Sequence, residues 1–229
     1  MRGTEHARWW MEGRVGYVVL DNPPMNLLTD ASRRGIVQAL EAFRRGGAGA
    51  VVITGAGDRA FCGGADLREE AHLTPETVGD FQRRHAEMSM AIRHFERPVL
   101  AAINGWAMGG GLVLALWCDV RIGSATARLG AVGVKVGLVA SNVQLRRLVL
   151  EARARDALLT GRTLEADEAY RFGLLSAVVA PEALLREATS WAARMAARDS
   201  EAVARAKAAI NAALDVTLEA AEARERGAQ

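Results

Sequence analysis

Aromatic residues make up only 5% of this 229-residue chain, so stacking on nucleic-acid bases or sugar rings is not an expected theme. Charge of one sign is also scarce in excess: 29 Lys and Arg face 27 Asp and Glu, a net +2. That balance is too mild to argue for nucleic acid or a membrane surface as partner. The two cysteines, Cys62 and Cys118, form neither a CxxC pair nor a zinc-ligand spacing, so free thiols in a reducing, cytoplasmic setting are expected. Long hydrophobic runs are missing too. The most apolar stretch, residues 106–117, is interrupted by three glycines and is too short to span a bilayer. No apolar segment follows a basic start, so no signal peptide is expected. Internal repeats and low-complexity linkers are absent as well.

What the chain does have is glycine in two concentrated turns, Ala60-Phe61-Cys62-Gly63-Gly64-Ala65-Asp66-Leu67 and Gly105-Trp106-Ala107-Met108-Gly109-Gly110-Gly111. Each follows a short apolar run with strand character and leads into a helical pattern. Strands are expected at 15–21, 50–54, 98–103, 119–122 and 174–179. Helices are expected at about 30–45, 74–95 (opened by Thr74-Pro75), 110–117, 141–153, 154–159, 166–171, 181–196 and 200–224. Strands alternating with helices in the first half make the fold class α/β, with a mainly helical second half. The expected division is a core over residues 1–135 and a helical region over 136–229.

Glycine lets backbone approach a ligand with no side chain in the way. A helix start leaves several N–H groups unpaired and slightly positive. Two such turns facing one another could hold a carbonyl oxygen as negative charge builds on it, an oxyanion hole made of main chain. Gly55-Ala56-Gly57-Asp58-Arg59-Ala60 formally matches a GxGxxG/A dinucleotide fingerprint. The context fails: a helix should begin there, and Gly63 and Gly64 interrupt the chain a few residues on.

The ordered series of segments resembles the enoyl-CoA hydratase/isomerase (crotonase) superfamily: residues 60–67, Arg97-Pro98-Val99-Leu100-Ala101-Ala102-Ile103-Asn104-Gly105, then residues 107–111 and Cys118-Asp119-Val120. Thr160-Gly161-Arg162, Glu168-Ala169, Gly173-Leu174, Ala202-Val203 and Ala206-Lys207 extend the resemblance over nearly the whole chain. It implies a spiral of repeated ββα units with a helical C-terminal region, assembled as a homotrimer or homohexamer. It implies binding of acyl-coenzyme A thioesters, with coenzyme A entering as part of the substrate and no permanently bound cofactor or metal. Carried over by motif, the enolate-stabilising N–H donors are Ala65 and Gly110. Gly64, Ala65, Asp66, Leu67 and Arg68 would line the CoA arm, with Met25 and Leu27 on the opposite wall.

The chain departs from the pattern where hydratases of this family carry two glutamates as acid and base. The first position, two beyond the triple glycine, is Val113; the second, in a Gly-x-Pro-Glu stretch, is Gly133. Ala140-Ser141-Asn142-Val143-Gln144 stands where many members have Pro-Gly-x-Gly-Gly. Two-glutamate hydration is therefore not expected. Decarboxylation, isomerisation or non-catalytic acyl-CoA binding remain open. Among substitutes, Glu69 and Glu70 read as solvated carboxylates or helix-start charges, Asp66 as a helix cap, and His6 as part of a mobile N-terminus. His85 and His94 fall on one helix, His72 is the histidine placed nearest a pocket, and Ser141 or Asn142 reads as a cap. Asp119 reads as a buried structural hydrogen-bonder, and Cys62 has no basic neighbour to activate it. The sequence stops short of the last helical residues common in the family, from which a more open acyl site, or a different way of closing it, is expected.

Overall fold

The computed structural model describes residues 1–71, 74, 77–137 and 142–213. Two sheets organise it. The larger has seven strands: β1 (Arg2–Thr4), β2 (Ala7–Glu12), β3 (Val15–Leu20), β4 (Ala50–Gly55), β6 (Val99–Ile103), β8 (Val120–Ser124) and β11 (Ala177–Val179), neighbours in that order. β1, β2 and β3 pair antiparallel, and every pairing from β3 to β11 is parallel. The smaller sheet runs β10 (Thr163–Glu165), β9 (Arg128–Gly130), β7 (Trp106–Met108), β5 (Ala60–Cys62).

Chain order explains the two sheets. β4 is followed by β5 and then by α2 (Leu67–Glu70) and α3 (Val78–Arg93); β6 by β7 and then α4 (Gly110–Trp117); β8 by β9 and, further on, α5 (Asn142–Leu148). Each unit lays its first strand in the large sheet and its second in the small one, which is the ββα repeat expected from the resemblance.

Strand periodicity sorts the core. Val51, Ile53, Val99, Ala101 and Ile103 point to one face, packing with Ile36, Leu40 and Phe43 of α1 (Asp30–Gly46) and with α4. Ala50, Val52, Leu100 and Ala102 alternate to the other face, against Leu184, Ala188, Ala192 and Ala196 of α8 (Leu184–Ala196). The four-residue spacing of the α8 contacts is one stripe of a helix. α1 is framed by sequence signals: Thr29 and Ser32 form a capping box, and Gly47 ends the helix at φ 72°.

Several expected boundaries move. The N-terminal hairpin β1–β2 was not among the expected strands, because Trp9, Trp10 and Met11 break a clean alternation. Residues 141–153 do not form one helix: α5 ends at Leu148 and α6 (Glu151–Thr160) begins after Leu150. The segment at 181–196 opens with a 3-10 turn, Pro181–Ala183, before α8. The last helix is described as α9 (Ser200–Ala213); its expected continuation to residue 224 lies outside the described residues. So do Pro75, His72 and Ser141. Among the described residues, no helix is long and apolar enough to cross a membrane.

Candidate active site

The two glycine turns meet. Leaving β5, Gly63 donates to the Met25 carbonyl (2.7 Å), the Leu28 N–H donates to Gly64 (2.8 Å), and the Asp66 N–H donates to Leu28 (3.2 Å). These bonds make a parallel bridge between Leu28 and Ala65. In that pattern residues 64 and 66 bond Leu28, so the N–H of Ala65 itself points away from that segment. It faces the second turn: a Cβ added to Gly110 would stand 3.3 Å from the Ala65 nitrogen, and one on Gly64 would stand 3.7 Å from the Gly110 nitrogen.

Gly110 is the first residue of α4, where an N–H has no intrahelical acceptor. Gly109 precedes it at φ 48° and ψ −113°, a conformation that glycine supplies at least cost. Among the described residues, neither the Ala65 nor the Gly110 N–H has a backbone or side-chain acceptor. The result is a pair of adjacent donors at the positive end of a buried helix, a geometry suited to an oxygen that carries negative charge. Gly111 serves a different purpose. A Cβ there would lie 2.1 Å from the Cys62 carbonyl oxygen, so α4 could not pack against β5 with any other residue.

The other expected site residues gather around this point. Met25 and Leu27 are half-buried and flank Gly63: a Cβ on that glycine would lie 3.0 Å from Met25 Cβ and 3.2 Å from Leu27 Cδ2. Asp66 caps α2 by accepting the Arg68 N–H at 3.0 Å, and also pairs with the Arg68 guanidinium at 2.9 Å. That guanidinium holds the Asp66 carboxyl below the usual carboxylate range. Leu67 is 53% exposed, and the Arg68 side chain is largely exposed beside it.

Val113 sits one turn along α4 from the donor, its N–H bonded to Gly109, and is buried. Gly133 lies in a 3-10 turn, Val132–Val136. Neither position offers a proton-transfer group. Cys62 is fully buried, and burial pushes its thiol up to about 12, which rules it out as a thiolate nucleophile near neutral pH.

Three readings of polar residues change. His6 is not in a loose terminus: it lies in the β1–β2 turn, with Nδ1 2.7 Å from Thr29 Oγ1, the α1 cap. Of the two readings of Glu69 the helix-start charge holds, but at α1 and not at its own helix: both its oxygens accept the Asp30 N–H, at 3.0 and 3.4 Å. His85 belongs to α3, but His94 is that helix's C-cap. Burial, with the Arg33 charge nearby, holds His85 below the ordinary histidine value. Asp119 behaves as a structural hydrogen-bonder, accepting the Val99 N–H and the Lys207 ammonium, both at 2.7 Å. The roles of Asn26 and Asn104 escaped the sequence reading. Their side chains wrap the turn before β5, and the only signal was Asn104 inside a quoted motif.

Stacked ββα units in two sheets, with paired peptide donors where a strand–turn meets a helix start, define an α/β fold in which two glycine turns meet. The chain matches the family profile described as enoyl-CoA hydratase/isomerase over residues 11–229. It is 38% identical over 214 residues to a probable enoyl-CoA hydratase of Rhizobium meliloti, covering 90% of this chain and 81% of that protein. It is 36% identical over 214 residues to an (E)-benzylidenesuccinyl-CoA hydratase of Thauera aromatica, covering 91% and 83%. A crystal structure of an enoyl-CoA hydratase from Bacillus anthracis superposes with a TM-score of 0.93 at 31% identity, covering 98% of this chain and 89% of that one. The chain belongs to the enoyl-CoA hydratase/isomerase (crotonase) family, and its fold is the family's α/β fold.

Proposed function

We propose that this chain binds an acyl-CoA thioester with the carbonyl oxygen between the Ala65 and Gly110 N–H groups, and that it stabilises the enolate formed there. One observation carries the reading: two acceptor-free peptide donors converge while the adjacent face of α4 presents Val113 instead of a carboxylate. The relatives' names supply the thioester; the geometry supports the enolate. Gly64, Asp66, Leu67 and Arg68, opposite Met25 and Leu27, form the proposed lining for the CoA arm. Coenzyme A arrives as part of the substrate, and the assembly is a homotrimer or homohexamer in the cytoplasm.

A hydratase needs a base for water and an acid for the α-carbon. Val113 and Gly133 supply neither. Chemistry that makes an enolate without a base fits better. In a malonyl-type thioester, the bond between the α-carbon and its carboxylate breaks, carbon dioxide leaves, and the electron pair moves onto the thioester oxygen. Solvent then protonates the α-carbon to give the shortened acyl thioester. Each peptide donor to the developing oxyanion is worth about 3–4 kcal/mol of barrier, by analogy with other oxyanion holes.

The second reading, an acyl-CoA-binding protein without turnover, rests on the same missing carboxylates. A panel of malonyl-type and enoyl thioesters separates the two. Carbon dioxide release from a malonyl-type thioester, with crotonyl-CoA left at background, is the expected result. Binding with no reaction on any member favours the second reading. Crotonyl-CoA hydration well above background would overturn the claim that two-glutamate chemistry is lost.

A further inference from the structure

The donor turn is made of readily deformed backbone: Gly63, then Gly64 at φ 112°, then Ala65. α2 beyond it is a single turn of helix. A peptide N–H stabilises a transition state only if it is already aimed before the charge appears. Something must therefore hold residues 63–69 in place.

The Leu28–Ala65 bridge is one tether. Glu69 makes a second. Its two oxygens accept the Asp30 N–H at 3.0 and 3.4 Å, and its Oε2 lies 3.8 Å from Arg33 Nη1. Asp30 opens α1, so its N–H is one of the unbonded donors of a helix start, and a carboxylate is the acceptor such a group favours. Arg33, on the next turn of α1, is 2% exposed. A buried guanidinium needs a counter-charge close by, and Glu69 provides one. The same cation is near enough to Cys62, in the strand feeding the donor turn, to oppose the burial-driven rise of its thiol.

The two tethers close a ring. Along one side run Leu28, Thr29 and Asp30; along the other run Ala65, Asp66 and Glu69. Backbone bonds of Leu28 to Gly64 and Asp66, on either side of Ala65, close one end, and the carboxylate closes the other between Glu69 and Asp30. The ring anchors the donor turn to the rigid start of a 17-residue helix that packs on the large sheet. The geometry points to Glu69 as a positioning residue for the Ala65 N–H, held by the α1 N-terminus and Arg33, and not as a substitute acid or base. This inference rests on the proposal that the Ala65 and Gly110 N–H groups bind a thioester oxygen.

The test reads the donor directly. Butyryl-CoA carrying carbon-13 at the thioester carbonyl is bound to the full chain, and its carbonyl stretch is measured by isotope-edited infrared spectroscopy. Donors aimed at the oxygen polarise the carbonyl and lower the frequency. Glu69→Ala is expected to lose roughly half or more of the downshift, with butyryl-CoA affinity changed by no more than about threefold, because aim matters more to polarisation than to ground-state binding. Glu69→Gln keeps an acceptor for the Asp30 N–H and gives up the attraction to Arg33, so its downshift falls between wild type and Glu69→Ala. If melting shows that Glu69→Ala does not fold, Glu69→Gln decides alone. A wild-type downshift retained in full by the folded variants overturns the positioning role and leaves the thioester reading standing. No downshift in the wild type overturns the thioester reading, and this inference with it.

Discussion

Asn26 and Asn104 both donate a side-chain N–H to the carbonyl of Ala60, at 2.7 and 3.3 Å. Asn26 also reaches Ala56 (3.0 Å), and Asn104 reaches Gly55 (3.1 Å) and Gly57 (2.8 Å) while its own oxygen accepts the Gly55 N–H (3.2 Å). Two amides from distant segments thus satisfy carbonyls of the turn that joins β4 to β5. Since β5 begins at Ala60, this clasp sets where Cys62 ends and where the donor turn starts.

Replacing Asn26 with alanine should cost about 1–2 kcal/mol, since it removes the amide donor to the part-buried Ala56 carbonyl and leaves the Ala60 carbonyl only the longer Asn104 bond of the clasp. Asn26 is also the described non-glycine residue at positive φ, 50°, and is 2% exposed, a backbone conformation that asparagine tolerates better than alanine. Urea unfolding of Asn26→Ala against wild type measures the loss; a change under about 0.5 kcal/mol would show that the clasp is dispensable.

Neighbouring glycines should respond in opposite ways. A Cβ at Gly110 meets Ala65 N at 3.3 Å and Leu28 Cδ1 at 3.4 Å, close but without severe overlap, whereas one at Gly111 meets the Cys62 carbonyl oxygen at 2.1 Å. Gly110→Ala is expected to fold with a melting temperature near wild type and to lose thioester binding or turnover, because the methyl occupies the space between the donors. Gly111→Ala is expected to lose several kcal/mol, about 3 or more, through overpacking against backbone that cannot yield. Calorimetric melting paired with acyl-CoA titration distinguishes these outcomes; equal loss of stability in both would refute the assignment of separate roles.

The Asp66 carboxyl titrates lower in the folded protein than in the unfolded chain, chiefly through the Arg68 hydrogen bond. For a depressed acid, the stabilising contribution is complete above the unfolded value, about 4, and is lost as pH falls through the lower folded value. Because Arg68 is mostly exposed, the effect should be small and weakened by salt. Stability measured from pH 6 down to pH 3 for wild type and Asp66→Asn should show the advantage of the acid shrinking toward low pH. An advantage that grows on acidification would contradict the Asp66–Arg68 contact.

Much of this molecule was legible before any coordinates. The continuous apolar run Ala50-Val51-Val52-Ile53 announced a buried strand, and the helix expected at about 30–45 is α1. The Gly63-Gly64-Ala65 and Gly109-Gly110-Gly111 turns were visible because special backbone geometry demands a special residue. The hairpin β1–β2 was not legible, since its stability comes from pairing with β3 and from α1 packing on it. His6 was misread, and for Glu69 the helix start it serves was not foreseen. A carboxylate or imidazole carries no local mark of whether it faces solvent or the start of a helix far away in sequence.

The sequence by itself determined which residue types stand at each position of the site: glycines at the two turns, valine at 113 and glycine at 133, and a helix cap at Asp66. Local chemistry dictates those features, so they can be read locally. Tertiary structure alone decided that the Ala65 and Gly110 N–H groups lie side by side, that Asn26 and Asn104 clasp one carbonyl, and that Glu69 bonds the start of α1. Each depends on contacts between segments brought together by sheet pairing. Hydrogen bonds and burial act through space, and no spacing along the chain encodes them.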